Sequence, residues 1–389
     1  MTDATGDVPP PDAAAYRILA EDGFGPDLFN PTQHRACALV ERYARAVTLD
    51  VCADLGVLDR LDVPRTGAEL LDACRLAPAF APQLAWLLAH LALAGVVTRA
   101  GDRHRLAGPP PASARAALRA AGLATDAAYA PTYDLLDVAA ALYPRVARGA
   151  VQAERALFMR VGLWVAYFSN ANRYYALNNV VTARAAAARV AGGRILEVGA
   201  GLGSATAALC DELRATDRLA AVEHYRATEP VPFFRRRAER ALAEAWPDGP
   251  LLLDALDVNM PWPAQDVAPG SCALVWGVNV FHLARRLDAV LAEAHRALAP
   301  GGWVVIGEGV RPAPGEPVGA ELPFQLLDSL HDVVRDPVAR PTAGFLTADV
   351  WEAALRRAGF AAVEVAPDLA RLRPHYPGFL GAAFCGRRD

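Results

Sequence analysis

"RILEVGAGLGSATAALCDEL", residues 194–213, decides the fold. An apolar run ends at Val198, glycines follow at 199, 201 and 203, and a helical pattern begins at Ser204. Glycines there let the chain turn tightly and let its backbone approach a ligand that a Cβ would exclude. The spacing G-x-G-x-G is a weak signal alone, and it is not the G-x-G-x-x-G of pyrophosphate binders. Its distinguishing mark is Glu197, an acid two residues before the first glycine. That acid suits a ligand carrying positive charge near the loop better than a dinucleotide.

Outward from this loop the chain alternates strand and helix. Strands are expected at 194–198, 219–225, 251–256, 272–280, 302–307, 360–366 and 380–386. Helices are expected at about 203–214, 232–245, 283–298 and 347–358. Apolar strands alternating with helices predict a parallel doubly wound α/β sheet over 191–389. The last two strands, with no helix between them, read as an antiparallel hairpin at the sheet edge. Upstream, 31–107 reads as helix, helix, helix and a small β-wing, a winged-helix pattern. Thr66 and Glu69 form a capping box there. Residues 107–112 read as a linker, 108–190 as an all-helical linker and substrate cover, and 1–30 as a disordered or extended N-terminal segment.

Composition excludes several classes. The 389 residues carry a formal charge of −4 and a pI near 6.1, so nothing demands nucleic acid or an anionic membrane. From Arg45 to Arg105 seven arginines face seven acids, a balance that lacks the basic footprint of DNA binding. A structural or dimerising role for the winged helix is favoured. The six cysteines are scattered with no CxxC, which fits free thiols in a reducing cytosol. The apolar run 84–97 is too short to span a bilayer. A cytoplasmic protein without a membrane span is expected.

Two further acids stand where successive strands end. Glu229 is placed to grip a ribose diol, with Glu223 as the competitor for that post, and Asp257 to meet an adenine amino group. Each alone reads as a solvated loop residue; three in register do not. His282, in "GVNVFHLARR", follows the fourth strand on the same sheet edge. An imidazole there suits a general base, and Glu308, ending the next strand, can hold its other nitrogen. A structural histidine beside the helix expected from 283 is the plain alternative. The insert 311–346 is expected to cover a substrate, with Phe324, Asp328 and His331 as pocket candidates. Tyr167, Tyr174 and Tyr175 are candidates for the far wall, though aromatic stripes at helical spacing are more often core. No histidines and carboxylates fall at metal-ligand spacing, so no metal is expected.

Here the chain resembles the class I S-adenosylmethionine-dependent methyltransferases. "ILEVGAGLGSAT" looks like their first motif and "APGGWVVIGEG", 299–309, like their strand-five motif. "YRATEPVPFF", "LDVN" and "GVNVFHLA" are similar to the C-methyltransferase domains of polyketide synthases. The winged-helix start with "FHLARRLDAVLAEAHRALAPGGWVVIGE" is similar to small-molecule O-methyltransferases, which dimerise through that domain. The chain departs from the latter in lacking "HDWxD" after its histidine, and it is expected to depart from the former in being free-standing. The resemblance implies a Rossmann-like seven-stranded sheet and S-adenosyl-L-methionine held by Glu197, Gly199, Gly201, Gly203, Glu229, Asp257 and Asn279. It also implies a His282–Glu308 pair that deprotonates carbon or oxygen. A small-molecule secondary-metabolite substrate, free or carrier-bound, and a homodimer are the implied partners. The alternatives are a cyclase-type or other binding protein that keeps the cofactor, and a winged-helix regulator.

Overall fold

The computed structural model describes residues 8–246 and 251–389, which divide into two compact units. The expectation for 1–7 lies outside the described residues.

The helical unit holds residues 8–10, Pro31–Tyr167 and Gly315–His331. Its long helix Pro31–Asp54 buries Leu39, Val40, Tyr43 and Val47 along one stripe. Three short strands, β1 (Arg65–Thr66), β2 (Val97–Ala100) and β3 (Arg103–Leu106), pair antiparallel in the order β1-β3-β2. The Thr66–Glu69 capping box opens the helix Gly67–Ala73, with Glu69 N to Thr66 Oγ1 at 3.2 Å and Thr66 N to Glu69 Oε2 at 2.8 Å. His90 is a core histidine: it is buried, 2.8 Å from Thr48 Oγ1, and burial holds its pKa down to about 3.

The α/β unit holds Pro11–Asn30, Phe168–Pro314 and Asp332–Asp389. Its strands are β4 (Gly193–Val198), β5 (Val222–Thr228), β6 (Leu251–Asp254), β7 (Cys272–Val278), β8 (Leu298–Gly309), β9 (Ala362–Ala366) and β10 (Gly381–Arg387). They form one sheet ordered β6-β5-β4-β7-β8-β10-β9, parallel from β6 to β8 and antiparallel at β10 and β9. This is the seven-stranded sheet that the resemblance implies. The strand order reverses beside β4, and open α/β sheets bind ligands at such a switch point. Two apolar cores flank the sheet. One gathers Leu291 and Ala294 of the helix Leu287–Ala297 with Trp351 and Leu355 of the helix Ala348–Arg357. The other gathers Ala183 and Ala186 of the helix Arg173–Ala187 with Leu209 and Leu213 of the helix Ser204–Ala215.

Four expectations need correction. Residues 13–21, placed in a disordered or extended N-terminal segment, form the helix Ala13–Glu21, capped by Asp12 and burying Ala15, Ile18 and Leu19 in the sheet's core. The border between the units falls after Tyr167, not at 190, because the helix Arg173–Ala187 packs on the sheet. A Cβ on Gly307 of β8 would sit only 1.9 Å from Thr182 Oγ1, so the glycine is what permits that approach. Gly315–His331 joins the helical unit, although it lies within the stretch assigned to the α/β domain. The helix expected from 283 starts at Leu287, preceded by a 3₁₀ turn, Phe281–Leu283.

Candidate active site

The loop after β4 carries three glycines in the left-handed region, at φ +68° for Gly199, +57° for Gly201 and +83° for Gly203. A Cβ on Gly199 would lie 2.5 Å from Val280, whereas one on Gly201 would meet nothing within 4 Å. Gly199 is thus needed by the protein's own packing. Gly201 borders open space.

Glu229, just past β5, lies against this loop. Its carboxylate accepts from Gly201 N at 3.0 Å and Val231 N at 2.8 Å, and burial raises its pKa. Glu223 stands exposed at the opposite end of β5. The geometry separates the two competitors: only Glu229 shares the glycine loop's edge. Asp257 is exposed in the turn after β6, where its Oδ1 accepts from Asn259 N at 2.9 Å.

Glu197 lies beneath the loop, 1 % exposed. Tyr225 donates its hydroxyl to Glu197 Oε2 at 2.6 Å, and Trp276 Nε1 donates to the same Tyr225 oxygen at 3.1 Å. Among the described residues no ion pair reaches the carboxylate, and burial pushes its pKa up to about 7.

At the neighbouring tips of β7 and β8, Asn279 takes a left-handed φ of +54° and donates its backbone N–H to Gly307 O at 2.8 Å. Its side-chain oxygen accepts from Asn178 Nδ2 at 2.9 Å. His282 is buried in the 3₁₀ turn, its Nδ1 2.6 Å from Glu308 Oε2. The His282 backbone N–H donates to Glu308 Oε1 at 3.2 Å, so one fully buried carboxylate holds the residue twice. With Nδ1–H given to Glu308, Nε2 is left as the basic nitrogen. The Phe345 ring stands edge-on to the imidazole at 5.2 Å.

The structure brings Glu197, the three glycines, Glu229, Asp257, Asn279, His282 and Glu308 to the carboxyl edge of one sheet. The substrate candidates are divided. Tyr174 and Tyr175 are in the α/β unit, on the helix Arg173–Ala187. Tyr167 and Phe324 meet in the helical unit, ring centroids 5.9 Å apart, beside Trp164. His331 Nε2 lies 3.0 Å from the carbonyl of Gln325, a local structural bond, and Asp328 is exposed. Sequence reasoning missed Tyr225, Asn178 and Arg340. Tyr225 was findable as an inward residue of β5; Asn178 and Arg340 carry no local signal. Among the described residues no cluster of histidine, cysteine and acids is arranged to hold a metal, and no helix is long and apolar enough to cross a membrane.

Residues 196–306 match the family model described as a methyltransferase domain. A curated relative is the highly reducing polyketide synthase valA of Aspergillus terreus, 31 % identical over 250 residues, 60 % of this chain. The chain spans only 9 % of that synthase's length. Among solved structures it is similar to the DszA carbon methyltransferase, with 25 % identity, TM-score 0.73 and coverage of 98 % of this chain and 94 % of the other. It is also similar to the CurJ carbon methyltransferase, with TM-score 0.77, 18 % identity and coverage of 96 % and 99 %.

Proposed function

We propose, from the premise that residues 196–306 are a class I S-adenosylmethionine-dependent methyltransferase domain, that this protein methylates an acidic carbon of a small polyketide-like acyl substrate carried on a partner protein. The observation that carries the choice of carbon is the likeness to the DszA carbon methyltransferase across 98 % of the chain, both units included.

The residues at the sheet edge fit the cofactor. The glycine loop opens onto free space at Gly201, and two buried carboxylates stand beside it: Glu197, met by a neutral tyrosine hydroxyl, and Glu229, held by two backbone N–H groups with Arg235 on its carbonyl. S-adenosylmethionine supplies, when bound, a methyl group already activated on a sulfonium. The loop Gly199–Gly203 would hold its amino-acid portion, Glu229 its ribose hydroxyls and Asp257 its adenine amino group, with Asn279 beside the loop. Glu197 balances positive charge from below.

The protein's own chemistry is then to create a nucleophile. His282 Nε2 takes the proton from the substrate carbon, and Glu308, on Nδ1, fixes the ring and offsets the imidazolium that forms. The Phe345 ring limits water on one side of the imidazole. His282 afterwards gives its proton to solvent.

The test is incubation with S-adenosylmethionine bearing a deuterated methyl group and either a β-ketoacyl thioester or a phenol. Label at the α-carbon of the thioester supports the reading. Label only on a phenolic oxygen overturns the carbon assignment.

A further inference from the structure

Arg340 is 3 % exposed and, among the described residues, makes no ion pair. Its guanidinium donates through Nη2 to the carbonyl of His282 and through Nη1 to the carbonyl of Ala284, while its Nε finds no acceptor. A buried guanidinium with an unused N–H costs free energy, so its placement asks for a reason. The 3₁₀ turn Phe281–Leu283 ends in carbonyls without internal partners, and a planar fork is the side chain suited to bridging two of them.

The brace is itself built. Asp336 and Arg340 exchange backbone hydrogen bonds at 3.0 Å each way, and Asp336 Oδ1 accepts from Val338 N at 2.9 Å and Ala339 N at 2.7 Å. From the same segment Val334 N donates to Arg285 O at 2.8 Å, and Arg285 N in turn donates to Asn259 Oδ1 at 2.7 Å. The His282 turn is thereby held on the amide side by Glu308 and on the carbonyl side by Arg340.

We propose that Arg340 is a positioning residue for His282: its fork fixes the turn that carries the imidazole, and its charge opposes that of Glu308 across the same buried pocket. This rests on the reading of His282 as the base. Burial holds the guanidinium down to about 10, with Glu308 and Asp288 acting on it through space in the opposite direction. The charged groups facing the pocket are Glu308 from β8 and Arg340 from the 336–340 turn, with Asp288 on the helix Leu287–Ala297 acting on Arg340.

The test compares Arg340→Gln, Arg340→Lys and His282→Ala in the full chain, reading kcat and the KM for each substrate. Arg340→Gln is expected to lower kcat by about ten- to a hundredfold through misplacement of the base. It should leave cofactor KM within about twofold, so that the loss falls on kcat. Arg340→Lys keeps the charge but cannot span both carbonyls, so it should lose kcat as well, again with cofactor KM little changed. Should Arg340→Gln not fold, the lysine variant carries the test alone: unchanged kcat overturns the proposal. Unchanged kcat in both variants, with His282→Ala inactive, overturns the arginine's role and leaves the base intact. Full methylation by His282→Ala overturns the reading on which both rest.

Discussion

Two buried glutamates stand at strand tips on one edge of the sheet, and their surroundings differ. Glu197, at the end of β4, is met by a neutral tyrosine hydroxyl. Glu308, near the end of β8, is met by an imidazole and a backbone N–H, with a guanidinium across the pocket. Burial works against the charge of Glu197, whose pKa rises to about 7. The comparison teaches that position on a sheet edge does not define a carboxylate's task; its partners do. On the proposed function Glu197 awaits a cation from the cofactor, while Glu308 already faces two of the protein's own basic groups.

The largest way to break this contrast is at the base. His282→Ala is expected to reduce the methylation rate by about 10²–10⁴-fold while cofactor Kd, read by calorimetry, stays within about threefold. Next comes Glu308→Gln, which keeps the shape but removes the charge that stabilises the imidazolium; a loss of about ten- to a hundredfold in kcat is expected, again with little change in Kd. On the cofactor side the ordering reverses. Glu229→Gln should weaken cofactor binding by about tenfold or more, the worth of one charged hydrogen bond, whereas Glu223→Gln at the far end of β5 should change it less than twofold.

The smallest effect is in stability against pH. Glu197 holds its proton more tightly folded than unfolded, so the cofactor-free protein binds the extra proton between pH 4.5 and about 7. Its contribution is present below the unfolded value and is lost as pH rises through that window. Urea denaturation of the cofactor-free protein at pH 5 and pH 8 should show Glu197→Gln gaining relative stability at the higher pH. Equal differences at both values would remove the contrast between the two glutamates.

Much of this was legible in the sequence where chemistry and periodicity coincide. "ILEVGAGLG" places a strand, a loop and an acid in nine residues, and His282 and Glu308 each close an apolar run. What was hidden depends on long-range contact. All basic residues but the histidines are arginines, so nothing local distinguishes Arg340 from its 38 fellows (39 − 1). Alanine blurs the contrast between core and surface positions, which masked the helix Ala13–Glu21 behind its Asp12 cap. The turn at 281–283 delays the next helix to Leu287 because the imidazole and its two backbone anchors use that stretch. Gly315–His331 joins the helical unit through contacts such as Tyr143 Oη to Leu322 O at 2.7 Å, which no local pattern announces.

The central claim, that His282 takes a proton from carbon, is tested most directly by hydrogen exchange without methyl transfer. A β-ketoacyl thioester with S-adenosylhomocysteine and the protein in D₂O should gain deuterium at its α-carbon faster than the uncatalysed background, as read by mass spectrometry. The His282→Ala protein should fall to that background. Exchange at the full rate in His282→Ala, or none in the unaltered protein while it methylates the same carbon, would contradict the account.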